Sequence, residues 1–146
     1  MLLTAESAAV LLIDMQERLM PAIYDGAVVV SRAVRLAEAA RLLNVPIAAT
    51  EQYPAGLGPT VSPLADYPKI VLAKTTFSAV EDPGFPGLLP AGTSQIVVAG
   101  CEAHVCVLQT VLGLHEASIT VCTFATQTLR DSPRLAHSII CAVAAA

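Results

Sequence analysis

The chain has 146 residues, a formal net charge of −4 and four cysteines, and 55% of its residues are hydrophobic. This length suits one domain, so we expect a single domain over residues 1–146. The acidic balance without a basic cluster argues against nucleic acid as a partner. No apolar run approaches the roughly 20 residues that a membrane-spanning helix needs, so no membrane partner is expected. The mean hydropathy of +0.66 is typical of a parallel sheet buried on both faces.

The N-terminus has no basic segment before its apolar residues, and Glu6 interrupts it. We therefore expect no secretory signal and a cytoplasmic location. In such a protein the cysteines at positions 101, 106, 122 and 141 are expected to be reduced. None of them forms a C-x-x-C pair of the kind that binds zinc.

The apolar pattern predicts strands that alternate with helices along the chain. Apolar residues recur at helical spacing within residues 28–44, and Asn44 and Pro46 end that helix. Ser132 and Pro133 are typical of a helix start, which predicts a last helix from there towards residue 146. Such alternation predicts a three-layer α/β/α fold with a mainly parallel sheet. The predicted strands cover residues 8–14, 46–50, 69–73, 95–99 and 118–124, and the middle helix covers residues 105–116.

Three of the predicted strands lead into a chemically reactive side chain. Asp14 ends the apolar run Ala9–Ile13, and Lys74 ends the run Ile70–Ala73. Cys106 follows the glycine turn after the fourth strand, at the opening of a helix. The carboxyl ends of parallel strands share one edge of the sheet, and ligands bind there. We therefore predict one Asp–Lys–Cys site, in which the helix N-terminus lowers the pKa of Cys106.

Four segments occur in an order and at a spacing that resemble a known family. They are Leu11–Gln16, Thr50–Gly58, Lys74–Ala79 and Gly100–Thr110. From about residue 8 to about residue 117 the chain resembles the isochorismatase-like cysteine hydrolase superfamily, in its small single-domain branch. The resemblance implies that fold, with strand order 3-2-1-4-5, and a homo-oligomer. Beyond about residue 117 the resemblance is poor, which raises the possibility of a truncated or frame-shifted C-terminus.

The resemblance also implies a catalytic triad and a mechanism. The Cys106 thiolate would attack the amide-type carbon of a small molecule and form a thioester-type intermediate. Asp14 would take the thiol proton and return it to the leaving group, while Lys74 would favour both charged forms. The backbone N–H groups of Glu102 and Cys106 would form an oxyanion hole, with a cis peptide bond at Cys101–Glu102.

Four residues that flank the expected catalytic edge are candidates for substrate contacts. They are Gln52, Tyr53, Phe77 and Val105. For Phe77 and Val105, packing in the core is an equally good interpretation. With few aromatic residues in the chain, the pocket is expected to be small.

No metal or other cofactor is expected at this site. Nicotinamidase-type relatives carry an Asp-x-His metal site near the second strand, whereas the segment Glu51–Gly58 contains no histidine. Cys101, Glu102, His104 and Cys106 offer metal-ligating atoms, but neighbours on a tight turn rarely converge on one ion.

Each predicted site residue also has a simpler interpretation. Asp14 and Glu17 fit a helix capping box. Lys74 could be an ordinary solvated lysine, and Cys106 an ordinary buried cysteine. A thiol redox pair of Cys101 and Cys106 is a further alternative.

Two alternatives concern the whole protein. A non-catalytic family member would serve as a binding or assembly scaffold. Isochorismate hydrolysis need not use a cysteine, and relatives with that activity in the larger branch lack this one. An exposed edge at the fifth strand and the apolar tail Ile139–Ala146 add to the expectation of an oligomer, or else of aggregation.

Overall fold

The structure is a computed structural model that describes residues 2–127, with side chains described as far as residue 124. Five parallel strands form one sheet in the order β3-β2-β1-β4-β5. This order is the one that the family resemblance implies, and it is confirmed. The strands are β1 (Ala8–Ile13), β2 (Ile47–Gln52), β3 (Ile70–Lys74), β4 (Gln95–Cys101) and β5 (Thr120–Gln127).

Helices connect these strands. The long helix α1 (Gly26–Leu42) follows β1, and α4 (Leu108–Glu116) joins β4 to β5. Within residues 2–127, no helix is both long and apolar enough to span a bilayer. The helix predicted from Ser132 onwards lies outside the described residues. The shorter segments are α2 (Pro54–Leu57), α3 (Ser62–Ala65), the 3-10 turns Met20–Ala22 and Phe85–Gly87, and a π-helical turn at Ala103–Val107.

The core lies on both faces of the sheet, with β1 at its centre. All six residues of β1 are buried. Successive side chains of a strand point to opposite faces, so Val10 and Leu12 pack towards α1, whereas Leu11 and Ile13 pack towards α4. The continuous apolar runs of β1 and β4 therefore match strands that are covered on both sides.

The register of the strands brings their carboxyl ends together. Ile13 pairs with Thr50 of β2 and with Gly100 of β4. Gln52 pairs with Lys74 at the end of β3. The residues that follow β1 and β4 therefore lie at the same edge as the ends of β2 and β3.

Gly100 permits the close approach of β1 and β4 at this edge. A Cβ atom at this position would lie 2.6 Å from the backbone oxygen of Ile13 and 2.7 Å from its Cβ. Backbone atoms of a central strand cannot easily move aside. We predict that Gly100→Ala lowers the free energy of unfolding by about 1–3 kcal/mol, the usual cost of overpacking. Denaturant unfolding measures this change.

Gly87→Ala is the matched control. A Cβ at Gly87 meets no atom within 4 Å. The control should leave stability nearly unchanged. Equal unfolding midpoints for the Gly100→Ala variant and the wild type would contradict the close strand packing.

Candidate functional site

Asp14 lies fully buried directly after β1, in a left-handed backbone conformation with φ of 53°. Its Oδ1 accepts a hydrogen bond of 2.7 Å from the Thr50 hydroxyl, and its Oδ2 accepts one of 2.9 Å from Lys74 Nζ. The next helical segment is a 3-10 turn that begins only at Met20. Asp14 therefore caps no helix, and the capping-box interpretation is wrong.

Lys74 is also buried, which makes the interpretation as a solvated lysine wrong. Besides Asp14, its Nζ has three oxygen acceptors within hydrogen-bonding range. They are Gln52 Oε1 at 2.6 Å, Thr76 O at 3.2 Å and Phe77 O at 3.4 Å. An ammonium group has three N–H donors. These four acceptors therefore use its whole donor capacity, and Lys74 acts on its surroundings through its charge.

Gln16 holds the end of β2 in place through hydrogen bonds to its backbone. Its buried side chain brackets the backbone of Gln52, accepting from the Gln52 N–H at 2.8 Å and donating to the Gln52 carbonyl at 3.1 Å. It also donates to the carbonyl of Gly58 at 2.7 Å. Gln16 thereby fixes the residue whose amide holds Lys74.

Sequence reasoning assigned no role to Gln16 or Thr50. One signal was available for Thr50. It lies two residues before Gln52 on the same strand, and residues at that spacing face the same side of a sheet. Thr50 restrains Asp14 and Gln52 restrains Lys74, so one face of the end of β2 holds both members of the ion pair.

The chain reverses direction between β4 and Cys106 through a left-handed Glu102, with φ of 58°. The carbonyl of Glu102 accepts from the N–H groups of Val105 at 2.9 Å and Val107 at 3.2 Å. The described part of the chain contains no cis peptide bond, so the bond between Cys101 and Glu102 is trans. The left-handed residue provides the turn instead.

Cys106 lies in the π-helical turn rather than at the start of a regular α-helix. Such turns are rare and occur often at functional sites. Within residues 2–127, the backbone N–H groups of Glu102 and Cys106 donate no hydrogen bond to a backbone oxygen outside regular elements or to a side chain. These are the two N–H groups that the resemblance assigns to an oxyanion hole.

Burial raises the pKa of the Cys106 thiol to about 12. The charge of Asp14 raises this pKa further, the charge of Lys74 lowers it, and a hydrogen bond between the thiol and Asp14 raises it again. The predicted depressed pKa is therefore wrong, because burial and Asp14 outweigh Lys74 and the helix end. The resting site contains a neutral thiol that faces a carboxylate.

Cys101 differs from Cys106 in its surroundings. It is fully buried on the α1 face of the sheet, and its sulfur lies 3.0 Å from the sulfur of Met20. Burial raises the pKa of this thiol strongly. Cys106 packs on the α4 face, and neither cysteine is in a disulfide. This placement favours the packing interpretation of Cys101 over the redox pair.

The side chains of Glu102 and His104 face each other without forming a hydrogen bond. Glu102 Oε2 lies 3.7 Å from His104 Nδ1, beyond hydrogen-bonding distance. Glu102 Oε1 and His104 Nδ1 are buried, and neither has a hydrogen-bond partner in the part of the chain that the structure describes. Among the same residues, no three His, Cys, Asp or Glu side chains are grouped so that they could hold a metal ion.

The four residues predicted to contact substrate have different environments. The side-chain amide of Gln52 accepts a hydrogen bond from Lys74 Nζ and donates one to the carbonyl of Thr75. Tyr53 and Phe77 are 60% and 55% exposed. The backbone N–H of Tyr53 donates to the carbonyl of Lys74, and the carbonyl of Phe77 accepts from Lys74 Nζ. Val105 is half-buried against the α4-face core. The structure thus joins Gln52 to the ion pair and leaves the two aromatic rings open to ligands.

The family model named "Isochorismatase domain" matches residues 8–125. The chain belongs to the isochorismatase family. It is 39% identical over 120 residues to isochorismatase domain-containing protein 2 of Danio rerio, a match that covers 82% of this chain and 61% of that protein. The human protein of the same name is 40% identical over 120 residues, with 79% and 56% covered. The chain therefore spans less than two thirds of the length of these relatives.

Solved structures share the isochorismatase-like fold. The MAR1 ribonuclease from Caenorhabditis elegans superposes with a TM-score of 0.86 at 30% identity, covering 97% of this chain and 76% of that one. YcaC from Escherichia coli, described as an octameric hydrolase of unknown specificity, superposes with a TM-score of 0.83 at 26% identity. That match covers 98% of this chain and 74% of YcaC. The strand order 3-2-1-4-5 is thus the order of the family fold.

The environment of Cys106 predicts an unusual effect of Asp14→Asn. The variant loses the charge and the acceptor that raise the pKa of Cys106, while Lys74 remains. We expect iodoacetamide to alkylate Cys106 faster at neutral pH, by about tenfold or more, since one neighbouring charge moves a pKa by about one unit or more. Mass spectrometry of the labelled protein against time measures the rate.

Asp66→Asn serves as the control, because Asp66 is exposed on the surface. This control should label at the wild-type rate. Slower labelling in the Asp14→Asn variant would mean that Asp14 does not hold the thiol neutral.

Proposed function

We propose that this isochorismatase-family protein is a metal-independent cysteine hydrolase that cleaves the carbon–nitrogen bond of a small amide. One observation carries the proposal. A fully buried carboxylate, Asp14, is paired with the ammonium of Lys74 and raises the pKa of the Cys106 thiol, at the carboxyl edge of the sheet. A base, a compensating charge and a nucleophile at one edge are the parts that nucleophilic catalysis needs.

The first step joins proton transfer to attack. Asp14 accepts the proton of Cys106 while the sulfur forms a bond to the amide carbon. The electrons of the C=O double bond move to the oxygen. We expect the backbone N–H groups of Glu102 and Cys106 to stabilise this oxyanion.

Collapse of the tetrahedral intermediate breaks the carbon–nitrogen bond. The C=O bond re-forms, and the proton held by Asp14 passes to the leaving nitrogen, which departs as an amine or ammonia. A thioester then joins the acyl group to Cys106. Asp14, ionised again, takes a proton from water as the water attacks the thioester, and returns it to the departing sulfur.

Lys74 contributes charge rather than protons to this sequence. Its donors are already used by four oxygens, and its distance of 2.9 Å from Asp14 keeps that carboxylate paired inside the protein. Its charge also lowers the pKa of Cys106, opposing Asp14. Lys74 thus stabilises the thiolate that develops during attack.

Relatives of the same fold support a nucleophilic site and an assembled protein. The solved structure of YcaC from Pseudomonas aeruginosa, 26% identical to this chain, contains covalent acrylamide, and acrylamide is an electrophilic amide. The YcaC of E. coli is octameric. We accordingly propose a small-molecule substrate and a homo-oligomer for this chain.

A screen of small aliphatic and aromatic amides tests the proposal, with ammonia release as the readout. Cys106→Ala should lower the turnover of any accepted amide by at least about 10³-fold, because a nucleophile is lost. Cys122→Ser is the matched control, since Cys122 is an exposed cysteine on β5. Intact-protein mass spectrometry of the wild type during turnover should reveal an acyl adduct at Cys106.

Two results would contradict the proposal. Undiminished turnover in the Cys106→Ala variant would exclude the cysteine mechanism. Stoichiometric labelling of Cys106 by electrophiles without turnover of any amide would favour a binding scaffold. RNA is included in the screen, because the structural relative from C. elegans is described as a ribonuclease. RNA cleavage that survives Cys106→Ala would indicate a ribonuclease activity that does not use the cysteine.

A further inference from the structure

The Glu102 carboxylate is an unusual feature next to the proposed nucleophile. Its side chain is only 16% exposed, and its Oε1 is buried without a hydrogen-bond partner among residues 2–127. Its other oxygen faces His104 at 3.7 Å. A buried carboxylate oxygen without a donor is costly, because desolvation is not compensated. A donor from outside the described residues would remove that cost.

Glu102 acts electrostatically on the groups of the site. Burial raises its pKa, His104 lowers it, and the charge of Asp14 raises it. Its own charge contributes to the raised pKa of Cys106, after burial and Asp14. The backbone N–H of Glu102 is also one of the two donors proposed for the oxyanion hole. Its carboxylate therefore lies within the electrostatic range of a bound substrate.

No lysine or arginine of the described chain pairs with this carboxylate, and His104 is the basic side chain beside it. Lys74 is the partner of Asp14, and its donors are used. No other lysine or arginine of residues 2–127 forms an ion pair with Asp14 or Glu102. A substrate with its own carboxylate would meet the acidic side chains of Asp14 and Glu102, both of which act on Cys106.

We propose that Glu102 is a specificity-determining residue that selects substrates carrying an N–H donor or a cationic group next to the scissile carbonyl, and disfavours carboxylates. The inference rests on the proposed function in taking Cys106 as the reacting group. A substrate donor that reaches the Glu102 carboxylate would form a charge-assisted hydrogen bond with it. A site built to bind a donor discriminates strongly against analogues without one.

Alkylation of Cys106 by reagents of different charge tests this inference without requiring turnover. Iodoacetamide is neutral and carries N–H donors, iodoacetate is anionic, and 2-bromoethylammonium is cationic. Rates at Cys106 are followed by fragment mass spectrometry, and each is divided by the rate for 2-mercaptoethanol. Because all three reagents consume the same thiolate, ratios between them are independent of the pKa of Cys106.

We expect the wild type to prefer iodoacetamide and 2-bromoethylammonium over iodoacetate, relative to the free thiol. Glu102→Gln keeps the size of the side chain and removes its charge. This change should reduce the preference by about three- to tenfold, as expected for one charge acting through a partly screened site. Glu102→Asn provides a second variant, because asparagine tolerates the left-handed backbone of this position.

Glu116→Gln is the control, since it removes the same charge at the exposed far end of α4. An unchanged reagent preference in both Glu102 variants would overturn the inference, and so would an equal change in the Glu116→Gln variant. These outcomes are distinct from a failure of the proposed function. That failure would appear as amide turnover that does not depend on Cys106, whatever the reagent preference.

Discussion

The rest of the site depends on the buried ion pair between Lys74 and Asp14. Two charges removed from water cost several kcal/mol each unless their geometry and hydrogen bonding are good. Here two side chains at the end of β2 supply that compensation, because Thr50 forms a hydrogen bond with Asp14 and Gln52 forms one with Lys74. Gln16 fixes the backbone of Gln52. Breaking such a pair typically costs about 3–5 kcal/mol, because the remaining charge is left alone in the interior. The pair thereby fixes the edge of the sheet at which ligands bind.

The ion pair also influences the state of the nucleophile, together with burial. Burial is the main cause of the raised pKa of Cys106, and the charge of Asp14 raises this pKa more than the charge of Lys74 lowers it. The sulfur therefore rests as a neutral thiol, and its proton has an acceptor already in position. A thiol in this state reacts slowly with general electrophiles, because the thiolate is the nucleophilic form.

Much of the fold could be predicted, since apolar runs mark strands and parallel strands present their carboxyl ends at one edge. That rule brought Asp14 and Lys74 together correctly, though 60 residues separate them. The pKa of Cys106 could not be predicted in the same way, because it depends on burial and on distances to charges that no local pattern records. The π-helical turn and the trans, left-handed turn at Glu102 likewise arise from tertiary packing against the sheet. For Gln52, position at the edge was predictable, but the direction of its amide towards Lys74 was not.

The measurement that tests this account most directly is a pH titration of thiolate ultraviolet absorbance in the folded protein, taken as the difference between the wild type and Cys106→Ala. The account predicts no thiolate signal from Cys106 at neutral pH. The signal should appear only in strongly alkaline solution, consistent with a pKa of about 12. A full thiolate signal already present at neutral pH would contradict it, because Asp14 would then face a preformed anion and could not serve as the base that activates the thiol.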